Sequence, residues 1–203
     1  MRVRGGRLRA AGRAGFRVGL LGALLAAGAL PAPGKVFLTQ EEALALVFAP
    51  GEPVERRTLF LTEPEAEWVG AVSGEPMESR VVTYYAGTRA DRGGATAFFD
   101  THRVRTLPET LMIAVDSQGR VLRVAVLSFQ EPADYLPRPK WFEQFPGRVL
   151  DDSLAPRRGI HGVTGATLTS RAVTRAVRRT LALHDLLAGN GPDREGRDGR
   201  GAR

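Results

Sequence analysis

An α/β fold of the α+β type, with a mainly antiparallel sheet and helices packed against it, is predicted by three observations. Two strongly β-forming runs, 110–115 and 121–127, flank the turn Asp116-Ser117-Gln118-Gly119-Arg120, which is the pattern of a hairpin with glycine in its turn. Further runs rich in β-branched and aromatic residues precede them at 79–86 and 95–104. One long stretch, 169–187, repeats apolar residues at helical spacing.

Taken in order, residues 35–39 form a short lead-in, and Thr39 caps a helix over 40–48 whose first turn holds Glu41 and Glu42. Pro50, Gly51 and Pro53 end it. A strand is predicted over 55–61, then a helix over 63–69 with Pro64 near its start and Glu63 and Glu65 in its first turn. After the strand at 79–86, Asp91-Arg92-Gly93-Gly94 marks a turn into the strand at 95–104. In the second hairpin strand Val124 and Val126 share one face, with Arg123 and Ala125 on the other. Pro132, Pro137 and Pro139 make 128–139 a shaped loop, and 140–147 is apolar on one helical face and stops at Pro146-Gly147. A loop follows at 151–158. On the last helix, Val173, Ala176, Val177, Thr180, Leu181 and His184 form the inner stripe, while Arg171, Arg175, Arg178 and Arg179 lie mostly outside as a solvated face. The folded domain is expected over 35–187 and a disordered tail over 188–203, which lacks core-forming residues.

The chain has 203 residues, enough for one good core. Its net charge of +7 suggests an anionic partner, but six arginines fall within residues 1–29, and the remainder carries 23 basic against 22 acidic groups. The charge is therefore mostly an N-terminal feature. There the arginines precede an apolar run, 18–30, and then Pro31 and Pro33. The run is shorter than the ~20 residues of a spanning helix. It fits a secretory signal peptide over 1–29, cleaved after Ala29, with an uncleaved N-terminal membrane anchor as the alternative. Either places the domain in the periplasm or at the outer face of the cytoplasmic membrane, where nucleic acid is no partner. The chain contains no cysteine, which excludes disulfides, thiolate metal sites, cysteine-ligated iron–sulfur clusters and thioether haem attachment.

The sharpest local signal is the stretch 160–170. It holds Thr164, Thr167, Thr169 and Ser170, with Gly162, Gly165 and Ala166, and no carboxylate. A hydroxyl-rich turn opening a helix suits a phosphate, because free N–H groups and the helix dipole both favour an anion. The competing reading is that Thr164 or Thr167 merely caps the helix. The three histidines, His102, His161 and His184, show no close pair at metal-ligand spacing, so no metal site is predicted. His184 falls near a helix C-terminus, where positive charge is favourable. No Gly-x-Ser-x-Gly elbow supports a hydrolase, and no catalytic residue is assigned.

At Thr164-Gly165-Ala166-Thr167 the chain resembles the FMN-binding domain found in the Rnf electron-transport complex and in the sodium-pumping NADH:quinone reductase. Upstream, Glu131-Pro132 and then Trp141-Phe142-Glu143-Gln144-Phe145-Pro146-Gly147 match that family's order of segments. The resemblance covers roughly 109–184. It implies FMN as cofactor, carried through a phosphoester on Thr167 and installed by a flavin transferase using FAD. It further implies Thr164, Gly165, Ala166, Leu168, Thr169 and Ser170 as the surrounding cofactor-binding residues, with Glu131 at the ring edge. Leu168, Tyr135, Leu136 and Trp141 are candidates to line a slot for the ring. One departure stands out: His161 occupies the place of the family's Asp, and neutral imidazole brings no negative charge. The function so implied is an electron carrier rather than a stand-alone catalyst, relaying electrons between a membrane redox complex and another acceptor. A flavin-free interaction or sensing domain of the same fold is the alternative.

Overall fold

The computed structural model describes residues 35–87 and 93–192. The signal or anchor segment, Asp91 and Arg92 of the expected turn, and 193–203 of the expected tail lie outside the described residues.

Six strands, β1 (Lys35–Val36), β2 (Val54–Phe60), β3 (Val81–Gly87), β4 (Ala95–Arg103), β5 (Pro108–Asp116) and β6 (Val121–Phe129), form one sheet in the order β1-β6-β5-β4-β3-β2. Every pairing is antiparallel. This is an α+β single domain. The predicted hairpin is β5–β6, with Gly119 at φ 75° in its turn. Asp116 holds that turn by accepting the N–H groups of Gln118 and Arg120 at 2.9 and 2.8 Å.

Helix α1 (Gln40–Ala45) opens on a capping box, in which Thr39 and Glu42 accept from each other's backbone. It ends three residues earlier than predicted. The N–H groups of Leu46, Val47 and Phe48 reach back to Ala43 and Leu44 in tight turns, which tuck Val47 and Phe48 into the core before Pro50. Helix α2 (Glu63–Ser73) has the same box from Thr62 and Glu65. It runs four residues past the predicted end because Gly70 is a packing glycine, not a stop. A Cβ there would meet Glu75 O at 3.2 Å and Pro76 Cα at 3.3 Å, where the chain folds back over the helix. Gly74, at φ 82°, provides the left-handed cap instead.

The helices sandwich the sheet. On one face Ala43, Val47 and Phe48 pack on Ala97, Met112, Ala114 and Leu127. On the other, α4 (Thr167–Leu187) presses Val173, Ala176, Val177 and Leu181 onto Leu111, Ile113, Val115 and Val124. Burial of each Val, Leu or Ile side chain contributes roughly 1.5–3 kcal/mol. The five residues 111–115 of β5 are consecutively buried because helices cover both faces. α2 packs beside α4 through Val69, Ala182, Leu183 and Leu186.

That second neighbour corrects the expected solvated arginine face. Arg171 and Arg175 are exposed, but Arg178 and Arg179 are half-buried. Arg178 donates to the carbonyls of Val72, Asp151 and Leu154, and Arg179 forks onto Asp100 at 2.8 and 2.9 Å. The helix is thus buried on two sides. After β6, the loop contains a 3-10 turn at Ala133–Tyr135 and a four-residue helix α3 (Pro139–Phe142), shorter than the predicted 140–147. No helix among the described residues is long and apolar enough to cross a membrane.

Candidate functional site

α4 starts without a side-chain cap. Ala166 occupies the N-cap position at φ −118°, ψ 31°, and Thr167 is the first helical residue. The capping reading of Thr164 and Thr167 is therefore corrected: neither hydroxyl accepts from the first-turn amides. Those of Thr167, Leu168 and Thr169 have no acceptor among the described residues. Three parallel N–H groups at the positive end of a 21-residue helix are an anion cradle. Gly165, at φ 86°, makes the tight reversal before them, a conformation that L side chains adopt only at a cost.

The hydroxyls near this start have different duties. Thr169 Oγ1 donates to Tyr135 O at 2.6 Å and is fully buried, which fastens the proline loop to the helix. Ser170 Oγ donates to Ala166 O at 2.8 Å, also buried. Thr167 is exposed, and among the described residues its Oγ1 has only a long contact of 3.3 Å to Val163 O. It is the hydroxyl of the three that is free to react or to turn toward a ligand.

A cavity of about 140 Å³ opens in front of Thr167. Gly165, Ala166, Thr167, Leu168 and Thr169 form one wall, and Val104, Arg105 and Tyr135 form the other. Leu168 is 48% exposed, an unusual position for a large apolar side chain, and with the Tyr135 ring it presents apolar surface at the cavity mouth. The Arg105 guanidinium lies over that ring, 5.3 Å from its centroid, and brings a cation to the cradle. Arg105 and Val104 are the residues that sequence reasoning missed.

The cavity is small against the 300–1,000 Å³ typical of a cofactor pocket. It suits the phosphate end of a ligand whose larger part lies outside, along Leu168 and Tyr135.

The other expected site residues lie around this cavity without lining it. Glu131 is 8% exposed, and its Oε1 accepts the backbone N–H groups of Arg105, Thr106 and Leu107 at 3.3, 2.7 and 2.8 Å. Burial opposes its ionisation, but these donors outweigh it and hold the carboxyl below its usual range. Glu131 thereby fixes the β4–β5 turn that carries Arg105. Trp141 Nε1 donates to His161 O at 2.6 Å, and the His161 N–H donates to Gln144 Oε1 at 2.8 Å. The aromatic segment 141–147 is a clamp on the backbone that leads into the threonine turn. Thr164, on that turn, is exposed, as is the His161 residue itself. Leu136 and Trp141 do not reach the cavity.

Comparison with protein families bears on the segment that carries this cradle. Residues 107–182 match the FMN-binding domain family. This segment is an FMN-binding domain. It spans β5, β6, the proline loop, the 141–147 clamp and most of α4, and so contains every residue expected at the site. FMN is the cofactor that the family implies, and the first-turn amides, the Arg105 cation and the apolar mouth fit its phosphate and ring. No curated protein matches the chain.

A second polar cluster lies under α4. His102 sits between Asp100 and Glu109, its Nδ1 2.8 Å from Asp100 and its Nε2 3.1 Å from Glu109. Burial alone would lower the imidazole, but bonds to Asp100 and Glu109 outweigh it and raise it to about 9. Burial would likewise raise Asp100, but His102 and Arg179 bring it down to about 2. Glu109 is fully buried, one of its oxygens has no partner among the described residues, and burial raises its pKa against the pull of His102. His184 differs from the expected charged residue at a helix end. It is buried, its Nδ1 has no partner among the described residues, and burial lowers its pKa against the pull of Asp185 and Asp116.

Proposed function

We propose that the chain is an exported flavoprotein that relays electrons, with FMN esterified to Thr167 by a flavin transferase that uses FAD. The observation that carries the attachment is the state of Thr167. Its hydroxyl is exposed, has only a long partner, and stands beside three acceptor-free amides and the Arg105 cation. Thr167 Oγ1 would give up its proton to the transferase and take the FMN phosphoryl group from FAD, with AMP leaving. Bound FMN supplies reversible electron uptake and release.

The protein's own residues do the rest. The first-turn amides and Arg105 neutralise phosphate charge. Glu131 fixes Arg105, Thr169 fixes Tyr135, and the Trp141–His161–Gln144 clamp fixes the approach to the turn. Leu168 and Tyr135 take the apolar ring at the surface, where a redox partner can approach it. The arginine-rich start and the apolar run 18–30 support export to the periplasm or to the outer face of the cytoplasmic membrane, with a membrane redox complex or another electron-transfer protein as partner.

The test is co-expression of the full chain with a flavin transferase, followed by denaturing electrophoresis. A band fluorescent as flavin supports a covalent FMN. Colour that is lost on denaturation indicates non-covalent binding. A colourless protein supports the flavin-free alternative.

A further inference from the structure

The sheet is not continuous between β3 and β4. The two strands pair over residues 84–87 and 95–98 and then separate. Continued register would set Thr83 opposite Phe99, Val82 opposite Asp100 and Val81 opposite Thr101, but none of these pairs forms. Residues 81–83 remain paired to β2 on their other side, and 99–103 remain paired to β5. Among the described residues, each strand therefore turns an unpaired edge into the gap. Strand edges carry N–H and C=O groups that demand partners, and another strand is what satisfies two facing edges at once.

The gap holds a cavity of about 770 Å³ bordered by both edges. Five residues of strand span about 16 Å, so the mean cross-section is about 50 Å², which is also the share of one strand in packed sheets, about 5 Å by 10 Å. The space thus has the length and section of a short added strand.

The walls select its side chains. On the α1 face, Tyr85 and Phe99 meet edge to face at 5.6 Å, flanked by Arg56 of β2, register partner of Tyr85, and by Arg103 of β4. Neither arginine has a carboxylate partner among the described residues. Arg103 donates to Thr106 O at 2.7 Å. The acids of the cleft lie elsewhere: Glu75 and Asp100 are taken up by Arg175, Arg179 and His102, and Glu78 sits on the α2–β3 connection. On the α4 face, Met77, Val82 and Leu183 offer apolar contacts. The neighbouring Val81 is 54% exposed.

We propose that this gap binds an extended segment of a partner protein as an added strand, with carboxylate side chains toward Arg56 and Arg103 and apolar side chains toward Met77, Val82 and Leu183. Main-chain bonds to both edges give the affinity, and the alternation gives the specificity. The site is independent of flavin, and its lower end at Arg103 adjoins the Val104–Arg105 wall of the flavin cavity.

The probe is a fluorescein-labelled Val-Glu-Val-Glu-Val-Glu-Val peptide, titrated into the full chain and followed by anisotropy. Saturable binding is expected. Arg56→Glu, on an exposed strand position, should weaken it by about tenfold, and addition of Arg103→Glu should weaken it further. A peptide with Lys in place of Glu, or with N-methylated amides, should not bind. Hydrogen exchange at the amides of 99–103 should slow when the Val-Glu peptide is added. Absence of saturable binding would overturn the proposal, as would binding indifferent to both charge reversals. Protection in the free chain of those amides of 99–103 that face the gap and do not bond to β5 would also overturn it, because a second copy or another segment of this chain would then fill the gap.

Discussion

Replacing His102 by Leu tests the buried charge cluster beneath α4. In the native chain the imidazole bridges two carboxylates, and its pKa rises from 6.5 to about 9. A shift of that size corresponds to about 3 kcal/mol, in line with the ~3–5 kcal/mol lost when one partner of a buried pair is removed. His102→Leu leaves Glu109 fully buried with neither oxygen bonded, whereas Asp100 keeps the Arg179 fork. Expected at pH 6–7 is a loss of about 3 kcal/mol, which in a domain of this size lowers Tm by roughly 6–12 °C.

The sign follows from the direction of the shift. A raised imidazole pKa gives stability that is complete below about 6.5 and is lost as pH rises through about 9. The gap between native and His102→Leu proteins should therefore narrow as pH rises from 7 to 10. The double variant His102→Leu/Glu109→Leu removes the stranded carboxylate and should recover most of the loss. Thermal melts by circular dichroism across pH 6–10 measure all three proteins. A gap that does not change with pH, or a double variant that is less stable than the single, would refute the bridging account.

Further predictions concern the flavin end. Arg105→Ala should slow flavin attachment without a change in Tm greater than a degree or two, checked by a time course of gel fluorescence, because Arg105 is exposed and its side chain serves the cradle. Glu131→Gln should lower both stability, by about 1–3 kcal/mol, and attachment, because the 105–107 turn loses its charged acceptor; urea titration and the same gel report the two effects. Gly165→Ala has open space for its Cβ but a φ of 86°, so it should cost about 1–2 kcal/mol in the turn and slow attachment with the rest of the fold intact.

Local patterns made much of this fold legible in the sequence. The β5–β6 hairpin, the Thr39 cap of α1 and the inner stripe of α4 depend on spacing within one segment, and they stand close to where spacing put them. The larger misses depended on neighbours distant in sequence. Gly70 looks like a helix end until the returning chain at Glu75 and Pro76 occupies the space above it. Arg178 and Arg179 look solvated until α2 and Asp100 close over them. The site divides the same way. Thr167, Gly165 and Ala166 are readable as one contiguous turn. Arg105 enters from the far end of β4, and no local pattern marks it. The pointer to it was Glu131, whose role in holding the 105–107 amides becomes apparent only in three dimensions. The opening between β3 and β4 was invisible for a related reason: both segments have strand-forming sequences, and propensity does not state which strands pair.

The central claim is that Thr167 bears the flavin. Its most direct test is peptide mapping by mass spectrometry of the full chain co-expressed with a flavin transferase. The account predicts one FMN moiety on the peptide containing Thr167, and none anywhere on Thr167→Ala. An FMN adduct retained by Thr167→Ala, or located on Thr164 or Thr169 of the native chain, would contradict it.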